Sequence, residues 1–323
     1  STQGASGVVV TSSGEWEGVH RAILADADGD GLPDVVGRMR HLADGDKITI
    51  AAFDGRSGKP LWKSESVGTY SDGLQGALGL ADATLLCASG GGELRGYALR
   101  GGKGIWRATL PEKVKFFCAG EDPGEAFVRL ADEATVSVGL RDGHVVPRPT
   151  GDAGACKRLP DDSADRDSND WGDDASRSAP EGMRVSYAAR APGGGPVVLV
   201  GERAKGTSVP MIAAIYEDAS RSWKADLPAE RPLETSAEPF GALAAVTSTR
   251  AFATYQRPQG NGPHMLVCFD LSGRRQWEKP LPDDAPLTSV QAIEERVFVS
   301  QWGHLTAYDA RTGAVAFSIG SPR

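Results

Sequence analysis

The sequence predicts an all-β fold, a β-propeller of four-stranded antiparallel blades, six in number with seven left open. Three observations predict it. Glycine and proline are frequent, 41 and 20 of 323 residues, and cut the chain into short apolar runs. None of these runs carries a sustained 3.6-residue stripe, so long helices are not expected. A hairpin-like unit then recurs with a period suited to four strands.

The unit is a short apolar strand, a turn and a large apolar residue that opens the next strand. Its copies are "IAAFDGRSGKPLW" (50–62), "LRGYALRGGKGIW" (94–106), "TVSVGLRDGHVVP" (135–147), "AAIYEDASRSW" (213–223), "MLVCFDLSGRRQW" (265–277) and "LTAYDARTGAVAF" (305–317). In the best copies an Asp opens the turn and a Gly closes it, supplying the positive φ that a tight reversal needs. Most intervals between successive copies lie near the low forties, room for four strands each.

Further strand candidates precede the hairpins: "ATLLCAS", "EAFVRLA", "PVVLVGE", "RAFATYQ" and "RVFVSQW". The long interval falls between residues 147 and 223. Residues 151–182 have few apolar positions and no alternation, so they are expected to be an acidic surface insertion. "MRVSYAARAPGGGPVVLV" (183–200) supplies the first two strands of the fourth blade. Residues 18–323 are thus expected to form a single propeller domain. Residues 1–17 are a segment whose "SGVVVTSSGEW" could pair with the last blade and close the ring.

Composition excludes several classes. Mean hydropathy is −0.29, with 40% hydrophobic and 24% charged residues, as in a globular chain with a core. No apolar run reaches 18 residues, so no transmembrane segment is expected. The formal charge is −8, and no basic stretch interleaved with aromatics occurs, so nucleic acid is not expected as a partner. The first residues, "STQGASG", lack a charged region followed by an apolar one, which suits a cytoplasmic chain or an exported one whose leader has been removed.

One stretch carries metal chemistry. "DADGDGLPD" places Asp26, Asp28, Asp30 and Asp34 at positions 1, 3, 5 and 9, with Gly31 at position 6 and the Leu32 carbonyl available at position 7. Hard oxygen ligands at this spacing suit Ca²⁺. Position 12 is Gly37 rather than a bidentate Glu, and the flanks have strand character, so the loop is not an EF-hand. The competing reading is an acidic turn chosen for local hydrogen bonding. Four carboxylates in nine residues repel one another without a cation, which favours calcium. No His lies in the loop, so a structural ion is expected, tying the first two strands of blade one. A fainter echo, Asp165, Asp167, Asn169 and Asp173, has Asp170 in place of the glycine and reads as a solvated acidic loop.

These residues resemble two known patterns. The small-aromatic-Asp-x-x-(Ser/Thr)-Gly-x-x-x-Trp unit, clearest in "FDGRSGKPLW" and "YDARTGAV", is similar to the tryptophan-docking repeat of quinoprotein-type (PQQ-like) β-propellers. "DADGDGLPDVVG" resembles the calcium loop of FG-GAP and VCBS propeller repeats. The first resemblance implies that Trp62, Trp106, Trp223 and Trp277 pack between neighbouring blades and are held by the adjoining turn. It also admits a quinone-dependent dehydrogenase. Such enzymes carry a vicinal disulfide over the quinone, and this chain has no adjacent cysteines.

No G-x-S-x-G elbow, H-E-x-x-H or P-loop occurs. His144, His264 and His304 fall at or beside strand starts, where blade ends could converge over the central channel but plain surface positions are the stronger expectation. Cys87 and Cys268 read as buried thiols, and a Cys118–Cys156 disulfide is one open pairing. The expectation is a non-catalytic, calcium-stabilised propeller, a monomer outside the cytoplasm (periplasmic, cell-surface or secreted), serving as a binding or scaffold module for protein or glycan. The alternative is a propeller enzyme, PQQ-dependent or polysaccharide-acting, with its site at the channel mouth.

Overall fold

The computed structural model describes residues 14–71, 76–148, 159, 179–203, 209–227, 243–256, 264–282 and 285–320. The chain divides into two compact units, Val10–Ala164 and, for its described part, Asp165–Arg323. Among the described residues each holds three antiparallel sheets, and the fold is that of a β-propeller with six four-stranded blades.

The first sheet comprises β1 (Glu15–Trp16), β2 (Ile23–Ala25), β3 (Asp34–His41), β4 (Lys47–Phe53) and β5 (Pro60–Thr69). Both β1 and β2 pair with β3, at Arg40/Met39 and at Val36/Val35/Asp34, so they are two halves of one interrupted strand. The expected pairing of the N-terminal segment with the last blade is not what Glu15 and Trp16 make. Trp16 is drawn to β3 because Gly37 leaves room for its ring: a Cβ there would lie 2.1 Å from the indole. Residues 1–13 lie outside the described residues.

The second sheet is β6 (Ala77–Ala81), β7 (Thr84–Ala88), β8 (Glu93–Ala98) and β9 (Gly104–Thr109). The third is β10 (Val114–Ala119), β11 (Glu125–Leu130), β12 (Thr135–Gly139) and β13 (Val145–Arg148). The other unit holds β14 (Met183–Arg190), β15 (Val197–Arg203), β16 (Pro210–Ile215) and β17 (Trp223–Asp226); then β18 (Ala244–Val246), β19 (Arg250–Gln256), β20 (His264–Asp270) and β21 (Arg275–Pro280); then β22 (Leu287–Ile293), β23 (Arg296–Gln301), β24 (His304–Asp309) and β25 (Val315–Gly320). Every repeated hairpin read from the sequence is the third and fourth strand of its sheet. The segment 183–200 contributes β14 and the start of β15, as expected. Most of the 151–182 insertion lies outside the described residues.

Middle strands read as apolar runs because a sheet with a neighbour on each side buries both faces. In the second sheet Leu85, Cys87 and Tyr97 pack toward the first sheet, whereas Leu86, Ala88 and Leu94 pack toward the third. In the fifth, Phe252, Leu266 and Cys268 face the sixth, and Ala251, Ala253, Tyr255, Met265 and Val267 face the fourth. Alternation by residue therefore assigns each side chain to one of two inter-sheet cores. The outer strands carry the exposed apolar residues Ile105, Val146 and Val315.

The tryptophans dock as the resemblance implies. The Trp106 indole N–H donates to the Leu140 carbonyl at 2.7 Å, Trp223 to Leu271 at 3.0 Å, and Trp277 to Ala310 at 3.1 Å. Each acceptor belongs to the turn of the following sheet, and a glycine of that turn lies under the ring. At Gly313, with φ +68°, an added Cβ would come within 2.7 Å of Trp277. Trp62 is stacked on Gly102 in the same way, but its buried indole N–H meets no acceptor among the described residues, unlike the other three.

Cys87 and Cys268 are buried free thiols, and burial pushes the Cys268 thiol up to about 12. Cys118 is disulfide-bonded; Cys156 lies outside the described residues. Two histidines depart from expectation. His264 and His304 are 7% and 0% exposed, not surface residues, because the third strand of a blade is interior from its first position. His304 Nε2 lies 3.1 Å from Gln301 Oε1 across the tight β23–β24 turn. His144 is exposed, as expected.

Candidate metal centre

The acidic loop joins β2 to β3. Its turns are made by Gly29 and Gly31, with φ of +93° and +85°. These are left-handed conformations that residues with a Cβ rarely adopt. The carboxylates then fold inward on backbone donors. Asp26 accepts from the Gly29 and Gly31 amides at 2.5 and 3.2 Å, Asp28 from Asp30 at 2.9 Å, and Asp30 from Leu32 at 2.8 Å. Asp34, 2% exposed at the start of β3, accepts from the Ala27 amide at 2.8 Å and from Gly55, in the β4–β5 turn, at 3.0 Å.

One carboxylate oxygen from each of Asp26, Asp28 and Asp34 lies within 4.8 Å of the others. Oxygens around one Ca²⁺ at 2.3–2.6 Å are separated by at most about 5 Å, so this trio fits a single ion. Each carboxylate oxygen has two lone pairs, and an amide bond uses one, leaving acceptor capacity for a metal. Asp30 is not a member of the trio; its carboxylate is 3.9 Å from the Arg56 guanidinium. The loop geometry of Leu32 is fixed through its amide, which donates to Asp30.

Burial is the largest influence on Asp34 and raises its pKa; the Ala27 and Gly55 amides pull it down, while Asp28 and Asp54 add to the rise. The net direction is upward, set first by burial and added to by the neighbouring carboxylates. The turn carboxylates of the repeat go the other way. Burial works against Asp54 and Asp309, yet hydroxyl and amide bonds from Ser57 and Thr312 leave both below the usual range.

Two arginines at the loop were not legible in the sequence. Arg56 lies in the β4–β5 turn, and Arg100, in the β8–β9 turn of the next sheet, reaches Asp26 at 3.6 Å. Its guanidinium also covers Gly29, where a Cβ would meet it at 2.8 Å. The signal was present in register: Arg56 and Arg100 hold the same position in successive copies of the hairpin, two residues past the turn-opening position.

A second charged cluster fills the break between β1 and β2. Glu17, 4% exposed, accepts from the Val19 and His20 amides, and the His20 ring Nδ1 lies 3.0 Å from its Oε2. Burial alone would raise its pKa; His20 and the buried Arg38 outweigh that and hold it below the usual value.

The family model for outer membrane protein assembly factor BamB, a PQQ-like repeat family, matches residues 46–319. Among solved structures the chain is similar to BamB from Moraxella catarrhalis, at 12% identity over 89% of this chain and 70% of that one, with a TM-score of 0.27. It is also similar to the Pan2 WD40 domain of Neurospora crassa, at 12% identity over 98% and 88%, with a TM-score of 0.31. A search of curated proteins finds no match. The matched span runs from just before the first repeated hairpin to just past the last, and the chain belongs to the family of outer membrane protein assembly factor BamB.

Proposed function

We propose that this propeller is a non-catalytic protein-binding or scaffold module that acts outside the cytoplasm, with its first sheet stabilised by Ca²⁺ in the 26–34 loop. The observation that carries the binding role is the family match over residues 46–319, to a family described as an assembly factor. The disulfide at Cys118 supports an oxidising compartment. No helix among the described residues is long and apolar enough to cross a membrane. The calcium reading rests on the trio of Asp26, Asp28 and Asp34 within 4.8 Å. There the ion would neutralise charge and tie β2 to β3, with Asp34 linking it to the β4–β5 turn through Gly55.

Photo-crosslinking of the chain in intact envelopes of its source cell tests the binding role, with discrete protein adducts expected. PQQ titration of chelated and calcium-loaded protein tests the enzyme alternative. Saturable PQQ binding with dye reduction would replace the scaffold reading with a dehydrogenase. Light scattering at working concentration is expected to give a monomer.

A second reading has its own observation. Arg56 and Arg100 already stand at the loop, so the carboxylates have protein cations beside them. Under that reading the loop is a clamp between the first two sheets, and chelator leaves the melting temperature unchanged.

A further inference from the structure

Each sheet ends on an outer strand whose far side pairs with no other described strand. An open edge of this kind takes up extended chains unless something guards it. Five of the outer strands carry a guard. The strand β5 starts on Pro60 and breaks register with β4 at three points, β13 holds Pro147, and β21 ends on Lys279 and Pro280. The strand β17 is four residues long with Lys224 and Asp226 exposed, and in β25 Gly320, which is almost all backbone, is buried. None of these devices is present in β9. It runs six residues without proline, Gly104 exposes its backbone, and Ile105 is an apolar side chain 46% exposed.

The ladder fixes what this edge offers. Residues of an antiparallel strand alternate between turning amide and carbonyl toward the paired neighbour and away from it. Just past the strand the Leu110 amide donates to the Gly92 carbonyl at 2.8 Å, so Trp106 and Ala108 turn inward to β8. Ile105, Arg107 and Thr109 therefore turn their amides and carbonyls outward, and their side chains share one face. The Arg107 side chain is 58% exposed, with Glu65 and Glu93 at 3.8 and 4.0 Å, beyond hydrogen-bond distance. Its guanidinium fork is open to a bidentate carboxylate. Lys103 stands exposed one residue before the strand.

We propose that β9 is a docking edge for an extended acidic segment of a partner protein, which adds antiparallel as a fifth strand with a carboxylate opposite Arg107 and an aliphatic side chain opposite Ile105. This rests on the protein-binding role and gives that role a surface. Backbone bonds at the three outward residues supply attraction without regard to sequence, and the two side chains select among sequences. Lys103 and Arg107 together favour an acidic chain over a basic one.

The test is an NMR titration of the whole protein, to millimolar concentration, with a capped pentapeptide of threonine, serine, glutamate, serine and valine. In antiparallel register its residues fall opposite Thr109 to Ile105. Saturable amide shifts are expected over Gly104–Thr109 and none over the guarded β21. Lysine in place of the peptide's glutamate is expected to weaken binding about fivefold, and Arg107→Glu to reverse that preference. Ile105→Pro removes an outward amide and leaves the inward ladder intact; it is expected to abolish the shifts and serves if Arg107→Glu does not fold. No saturable shift over β9, an equal response at β21, or equal binding of the two peptides would overturn the edge. So would dimerisation of the chain through β9 in place of peptide uptake. Such a failure alongside protein adducts in envelopes overturns the edge alone; absence of adducts overturns the binding role and the partner with it.

Discussion

The turns of the repeat and the loop at residues 26–34 are built from the same two residue types, Asp and Gly, and solve opposite problems. In the repeat turn at Asp309, one carboxylate meets the Arg311 and Thr312 amides and the Thr312 hydroxyl, and its pKa falls. The turn then offers the Ala310 carbonyl and the bare face of Gly313 to Trp277 of the preceding sheet. In the acidic loop four carboxylates draw on six amides, only one each for Asp28 and Asp30, and the buried one, Asp34, is pushed upward. A turn can satisfy one carboxylate from its own backbone; further carboxylates need cations from elsewhere. Docking turns join sheet to sheet through indoles, and the loop does so through charge.

The largest expected effect lies on the docking side. Trp277→Ala removes an indole that bonds Ala310 and stacks near Phe252, at 6.0 Å between ring centroids. It is expected to cost about 3–5 kcal/mol in urea unfolding. A cost under about 1 kcal/mol would mean that the docked indoles do not hold neighbouring sheets together.

Asp34→Ala comes next. It leaves the Ala27 and Gly55 amides without their acceptor in a buried site, at a cost of about 1–3 kcal/mol for each group left unsatisfied. This loss is expected in chelator already and grows with calcium, since Asp34 also belongs to the trio, whereas Asp28→Ala is expected to matter only when calcium is present. Equal behaviour of the two variants would erase the distinction between framework and ligand within the loop.

Glu17 offers an intermediate case, a buried carboxylate whose partners, the His20 ring and Arg38, are built in. Its folded pKa lies below the ordinary Glu value of 4.5, so its contribution is fully present above that value and fades as pH falls through the folded pKa. Acid unfolding curves of the wild type and Glu17→Gln are expected to converge once the pH has fallen through the lowered folded pKa of Glu17. Curves that stay parallel would remove Glu17 from the acid sensitivity of the fold.

The smallest effect belongs to Arg100, whose side chain is 67% exposed. Arg100→Ala is expected to cost about 0.5 kcal/mol by thermal unfolding in chelator and less with calcium, because screened surface pairs contribute little. A larger loss in chelator would favour the arginine clamp over the ion.

Much of this was legible in the sequence, for a physical reason in each case. The hairpins showed because five of the six copies carry a glycine in the turn and four end on a docked tryptophan. Cys87 and Cys268 showed as buried because both faces of a middle strand are apolar. The first strand was not legible: the break between Trp16 and Ile23 depends on Glu17 finding Arg38, a contact across strands without local periodicity. His264 and His304 were misplaced at the surface because a strand start is an edge in sequence but an interior position in a stacked blade. At the loop the ligand spacing was plain, whereas Arg100 enters from another sheet, and only alignment of successive turns would have put it beside Arg56.

The most direct measurement is calorimetric melting of chelated protein titrated with Ca²⁺, run beside Asp28→Ala. The wild-type melting temperature is expected to rise and saturate, with about 2.7 kcal/mol of added stability at a hundredfold excess of ion over its dissociation constant, and the variant to stay flat. A wild-type melting curve indifferent to both chelator and calcium would contradict the calcium site and leave the loop to its arginines.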